Sequence, residues 1–168
     1  MDSRYPVGKF EKKDVVTDQD RTAWIQDIAD LPARVRAATE ALPDGGLDRP
    51  YREGGWTGRQ VVHHLADSHM NSFVRFRLAL TEDEPTVKPY DEAKWAELVD
   101  SRSAPVELSL SLLENLHDRW VMMLASMAPE QWSRVLVHPE IGRIDLDYML
   151  QMYAWHSRHH VAHIGLIK

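Results

Sequence analysis

Apolar positions recur at alternating steps of four and three along four stretches of the chain, the spacing that gathers side chains on one face of an α-helix. Trp24, Ile28, Leu31, Val35, Ala38 and Leu42 mark the first, and Thr17-Asp18-Gln19-Asp20 ahead of them resembles a capping box. Pro32 removes one N–H from that ladder, which predicts a kink or a split. The second runs from about residue 58 to about 80 behind the box formed by Thr57 and Gln60, with Val61, Leu65, Phe73 and Phe76 as packing residues. Leu112, Leu116, Trp120, Met123 and Met127 mark a third, whose Met and Trp side chains are core material. A fourth starts behind Asp145 or Asp147 as its cap and runs to Lys168.

Between these helices the pattern breaks. Residues 1–16 mix Gly, Pro and charge and are expected to form an arm lying on the domain, while 43–55 is a Gly-, Pro- and Asp-rich loop. After the prolines of 81–89, residues 91–100 suit a short helix bearing Trp95, and 101–105 a connection. A turn of helix is expected at 129–132 and a small hairpin from 135–138 and 142–144, with His138 a loop residue beside Pro139. No internal repeat is present. The expectation is one all-α domain spanning 1–168, a four-helix bundle with long crossover connections.

The last helix carries the candidate chemistry. Four of the nine histidines fall at 156, 159, 160 and 163. At about 100° per residue, His156 and His160 join Met149, Tyr153 and Ile167 on the inner face, opposite Asp147, Gln151 and Arg158. His159 falls well off that face and His163 at its edge. A lone inward histidine is usually a satisfied core or surface residue. Two at i and i+4 point to a metal, because burying imidazoles without a partner is costly. A third ligand belongs on the second helix, where periodicity does not decide between His63 and His64. Three neutral imidazoles would leave one tetrahedral position open, the catalytic arrangement rather than the structural one. His64, Ser68, Asn71 and Arg75 form a polar stripe that is either solvated or lines a cleft, and Asp67, Asp91 and Glu92 are carboxylates available to orient ligands or move protons.

Composition removes other classes. At 168 residues, 43% hydrophobic and 27% charged, the chain is an ordinary soluble globule. A formal net charge of -6 with dispersed Lys and Arg gives no footprint for nucleic acid. No apolar run approaches the ~18 residues of a membrane span and the N-terminus lacks a signal peptide's apolar stretch, so the expected location is the cytoplasm. The chain has no cysteine, so any metal must be held by His and carboxylates and any thiol chemistry must use a thiol brought from outside.

Three blocks together resemble the YfiT-like group of the DinB-like superfamily. They are Gly54-Gly55-Trp56-Thr57 followed by Arg59-Gln60-Val61-Val62-His63-His64-Leu65-Ala66-Asp67-Ser68-His69-Met70-Asn71; Pro89-Tyr90-Asp91-Glu92; and Trp155-His156-Ser157 with His159-His160 and Ala162-His163-Ile164. The resemblance covers nearly the whole chain. It implies a four-helix bundle that binds zinc or nickel, one ion per chain, through three histidines: His64, the histidine followed by Leu, with His156 and His160. It also implies a homodimer, for which the aromatics Tyr90 and Trp95 in a connection offer surface, and a metal-dependent hydrolase acting on a small molecule. Thiol S-transferases using bacillithiol and a mycothiol-dependent isomerase are further relatives, so a low-molecular-weight thiol cosubstrate and a non-catalytic metal-binding protein are the alternatives.

Overall fold

A computed structural model describes residues 2–168. Four long helices form the bundle: α1 (Asp18–Glu40), α2 (Gly58–Thr81), α5 (Val106–Ala125) and α6 (Leu146–Ile164). Two short helices, α3 (Glu92–Trp95) and α4 (Val99–Ser103), interrupt the connection from α2 to α5, and an antiparallel hairpin of β1 (Val135–His138) and β2 (Gly142–Asp145) precedes α6. Each long helix packs chiefly against two others, α1 against α5 and α6, and α2 against the same pair. The ring order is therefore α1, α5, α2, α6. α1 and α2 stand diagonally, as do α5 and α6, while α2 and α5 are neighbours; the diagonal steps are what the long crossovers make possible.

Capping fixes where the site-bearing helices begin. Thr57 accepts from the Gln60 amide while Gln60 Oε1 accepts from the Thr57 amide, and Gln60 Nε2 also donates to the Ala96 carbonyl. Asp145, not Asp147, caps α6 by accepting from the Tyr148 amide. Thr57→Ala should cost about 1 kcal/mol, the usual worth of such a cap. An unchanged urea midpoint would show that Gln60 and its Ala96 bond hold the start of α2 unaided.

The core divides along the helix axes into two apolar clusters. One joins Ile28, Phe73, Phe76, Trp120, Leu124, Met149 and Tyr153. The other joins Leu31, Val35, Val61, Val62, Leu65, Leu110, Leu113 and Ile164. The positions between them on α2, α5 and α6 are His69, His117 and His156, so a layer of imidazoles lies between two dry halves.

Several expectations need correction. α1 runs unbroken through Pro32. The amide that Pro32 lacks would have bonded the Ile28 carbonyl, and His117 Nδ1 bonds that carbonyl instead at 2.6 Å. On α5 the buried face is Leu110, Leu113, His117, Trp120 and Leu124, whereas Leu112 is 42% exposed. Residues 96–98 split the single short helix expected at 91–100, with Leu98 leading into α4, which takes up most of the expected connection. α6 stops at Ile164, one residue before Gly165, instead of reaching Lys168. Tyr90 and Trp95 pack on each other with ring centres 4.5 Å apart and are both half-buried. No helix among the described residues is long and apolar enough to cross a membrane.

Candidate metal centre

α2 brings His64, and α6 brings His156 and His160, to one point, where one ring nitrogen from each lies within 4.8 Å of the others. Nε2 of His64 is 3.2 Å from Nε2 of His156. Two ligands of a tetrahedral ion with bonds of ~2.05 Å would stand ~3.3 Å apart, so this pair fits such an ion without rearrangement. Burial is the main cause that pushes His64 down to about 4 and His156 and His160 well below the ordinary imidazole value, with the neighbouring rings adding to it. All three are therefore neutral at pH 7, the form in which imidazole can ligate.

His63 points elsewhere. Its Nδ1 is 2.7 Å from Ser109 Oγ on α5, and its Nε2 is 3.1 Å from the Ala104 carbonyl. The other two histidines of the last helix are buried, against the expectation that placed His159 off the inner face and His163 at its edge. The N-terminal arm is the reason, since it covers a side of α6 that would otherwise meet water. Trp155 Nε1 donates to the Gly8 carbonyl, Phe10 meets Tyr148 edge-on, and the Lys13 amide donates to Gln151 Oε1. His159 stacks on Trp155 at 4.4 Å and lies 6.1 Å from the Tyr5 ring.

His159, His160 and His163 also bring ring nitrogens within 4.8 Å of one another. That set is the weaker candidate for an ion. Both nitrogens of His163 are engaged, one with the Arg4 carbonyl and one with His160 Nδ1, each at 3.3 Å. An ion there would also have to share His160 with the first site.

The first site opens on a cavity of about 580 Å³. The loop before α2 forms one wall. Gly54 sits at φ +65°, a conformation that a side chain would strain, and a Cβ on Gly55 would fall 2.8 Å from Arg52 Cγ. This tight turn lays Trp56 4.7 Å from the His64 ring and stacks Tyr51 on His163 at 4.0 Å. From the polar stripe of α2, His64, Ser68 and Arg75 line the cavity, so the cleft reading holds for those three; Asn71 instead donates to the Asp67 carbonyl.

Among the carboxylates singled out in the sequence, Glu92 lines the cavity. Asp91 caps α3 by accepting from the Lys94 amide, and Asp67 is not in the lining, although burial raises it to about 6. His138 is no plain loop residue. It ends β1, is buried, and lines the cavity wall. His117 went unnoticed in the sequence because the α5 face was phased on Leu112 and Leu116; its spacing of three from Trp120 was the available signal.

The chain and its fold have counterparts in known proteins. The DinB superfamily pattern matches residues 18–164. A protein of Bacillus cereus (strain ATCC 10987 / NRS 248) named "Putative metal-dependent hydrolase" is 53% identical over 167 residues, which cover 99% of this chain and 96% of that one. One of Bacillus anthracis (strain CDC 684 / NRRL 3495) with the same name is equally similar, at 53% identity and the same coverage. The solved structure of YfiT from Bacillus subtilis, described as a probable metal-dependent hydrolase with an unusual four-helix bundle topology, superposes with a TM-score of 0.94 at 46% identity, over 98% of this chain and 95% of that one. With the match spanning all four long helices and the histidine layer they carry, this chain belongs to the DinB superfamily and to its YfiT-like group.

Proposed function

We propose that the chain is a metal-dependent hydrolase of a small molecule, with one zinc or nickel ion held by His64, His156 and His160. The observation that carries this reading is the convergence of three neutral imidazoles, His64 and His160 buried and His156 half-buried, at the wall of a cavity, with no carboxylate in the set. A structural zinc is usually closed by four protein ligands, whereas three ligands facing a cavity leave a position for water or substrate. When bound, such an ion supplies a water-derived nucleophile at neutral pH and polarises a carbonyl-type oxygen.

The chain's own side chains would do the rest. Tyr51, Trp56 and Trp155 form walls that exclude bulk water and take up apolar parts of a substrate. Arg52 and Arg75 also line the cavity. Neither forms an ion pair among the described residues; Arg52 donates one N–H to the Glu53 carbonyl and Arg75 one to the Lys88 carbonyl, and their remaining N–H groups could orient a polar or anionic group. Glu92 and Glu140 are the carboxylates of the lining available for proton transfer.

Thiol transfer is the second reading, favoured by the absence of cysteine from a site able to take a thiolate as its fourth ligand. One experiment separates the two. Protein loaded with zinc or nickel is assayed against a panel of activated esters and amides, and against chlorobimane with and without glutathione or bacillithiol. Thiol-independent hydrolysis that is lost on chelation and restored by the ion is expected. Turnover that appears only with a thiol would replace hydrolysis by transfer, and activity indifferent to chelation would overturn the metal reading.

A further inference from the structure

The ring nitrogens of His156 and His160 that face away from the site end two chains of hydrogen bonds whose direction is fixed by backbone carbonyls. A carbonyl can only accept. At the Ile28 carbonyl, His117 Nδ1 must therefore carry the hydrogen at 2.6 Å. His117 Nε2 is then a lone pair, and it accepts from His69 Nδ1 at 3.0 Å. His69 Nε2 accepts in turn from His156 Nδ1 at 3.1 Å. The sequence of donors leaves His156 Nε2 as a lone pair aimed at His64. The second chain starts at the Arg4 carbonyl, which accepts from His163 Nε2 at 3.3 Å. His163 Nδ1 then accepts from His160 Nδ1, also at 3.3 Å, and His160 Nε2 is left bare.

Both polarities require neutral rings. His69 and His117 are buried at 0% and 1% exposure, and their ring nitrogens meet only other imidazoles and the Ile28 carbonyl. The anchor of the first chain is available because Pro32 has no amide to offer Ile28, so a proline inside a helix, ordinarily a defect, frees the carbonyl that starts the relay.

We propose that His69, His117 and His163 are positioning residues, which through two imidazole relays hold His156 and His160 as Nδ1–H tautomers and turn both Nε2 lone pairs toward one ion. The relays run in opposite directions out of the site, one into the dry core at Pro32 and one to the N-terminal arm. A free imidazole prefers its hydrogen on Nε2, the wrong place for ligation through that atom. The relays remove that competition before the ion arrives. This inference rests on the metal reading of the site.

The test uses full-length, chelator-treated protein with 15N-labelled histidine at neutral pH, assigned by single-histidine variants. Long-range proton–nitrogen spectra should show His69, His117, His156 and His160 as Nδ1–H and His163 as Nε2–H. Nε2–H at His156 or His160 would overturn the proposal. Zinc affinity by competition with a chromophoric chelator gives the second readout. His69→Leu removes donor and acceptor and should weaken zinc binding about 10- to 100-fold, with the His156 hydrogen moving to Nε2. His69→Gln keeps one donor and one acceptor and should recover most of that loss.

Unchanged affinity in a folded His69→Leu would overturn the positioning role. Should that variant fail to fold, His163→Phe, which keeps the stack on Tyr51 but offers His160 no acceptor, carries the same expectation for the other relay. The tautomers as assigned, in a parent protein that binds no zinc, would overturn the metal reading and the positioning role with it. Zinc binding with Nε2–H at His156 would overturn the relay alone.

Discussion

Alanine at His64, His156 or His160 should strip the ion from the purified protein, taking elemental analysis from about one zinc or nickel per chain to near none. Each substitution removes one of three nitrogens from a site with no carboxylate to replace it. The loss should exceed the roughly 10- to 100-fold typical of a residue that only orients a ligand. His63→Ala is the sharp control, one residue from His64 on the same helix but bonded to Ser109 and Ala104, away from the site. It should keep its ion. His159→Ala should also largely keep it, since His159 contributes a stacked ring on Trp155 and its buried Nδ1 has no partner. Full metal content in the His156 and His160 variants would sink the assignment, and metal lost equally in all five would point to general unfolding instead.

How far the site could be read in advance depended on which helix face a residue occupies. Toward the C-terminus, three apolar and three polar markers fixed the phase well enough to put His156 and His160 inward together. On α5 every position from Val106 to Leu113 other than Glu107, Ser109 and Ser111 is apolar, so two faces compete. Choosing the one through Leu112 displaced His117 from view. His63 and His64 are adjacent and both buried, and periodicity has no means of separating two buried neighbours. Their distinction lies in what α5 and α6 present to them, Ser109 on one side and His156 on the other. The same limit applies to His159 and His163. Their burial comes from an arm more than a hundred residues away in sequence, and no local pattern in α6 reports that something will lie over it.

Pro32 shows a different kind of gap. Local rules treat a proline in a helix as a lost bond, and here the structure spends that loss on a side chain from another helix. The bundle itself was legible because its four helices, two capping boxes and the hairpin are all locally encoded. The histidine layer is not, since its rings come from three different helices and are meaningful only once four helices stand in the order α1, α5, α2, α6.

That layer should make the metal-free protein unusually sensitive to mild acid. Burial holds His64 and His117 down to about 4, and His69 and His156 and His160 well below their ordinary value. In the unfolded chain the same rings titrate near 6.5. As pH falls below that value the unfolded state takes up protons that the folded state refuses, so stability is complete above about pH 6.5 and declines toward pH 4. Each such proton is worth about 1.4 kcal/mol per pH unit, and five together approach roughly 7 kcal/mol per pH unit. A domain of this size holds about 5–15 kcal/mol. Asp67, raised to about 6 by burial, and Glu92, also raised by burial, work in the opposite direction, two protons against five. Asp20 and Glu107, held at about 2 by their hydrogen bonds to Lys13 and Arg36, do not titrate in this window. Chelator-treated protein should therefore keep its helical circular dichroism at pH 7, where the rings are neutral and both apolar clusters are intact, although its melting temperature falls below that of the metal-loaded form. It should then unfold cooperatively between about pH 5.5 and 4.5. A melting temperature that stays flat from pH 7 to 4.5 would show that the layer accepts protons while folded, and loss of helix on chelation already at pH 7 would show that the ion, rather than the neutral imidazole layer, holds the bundle together.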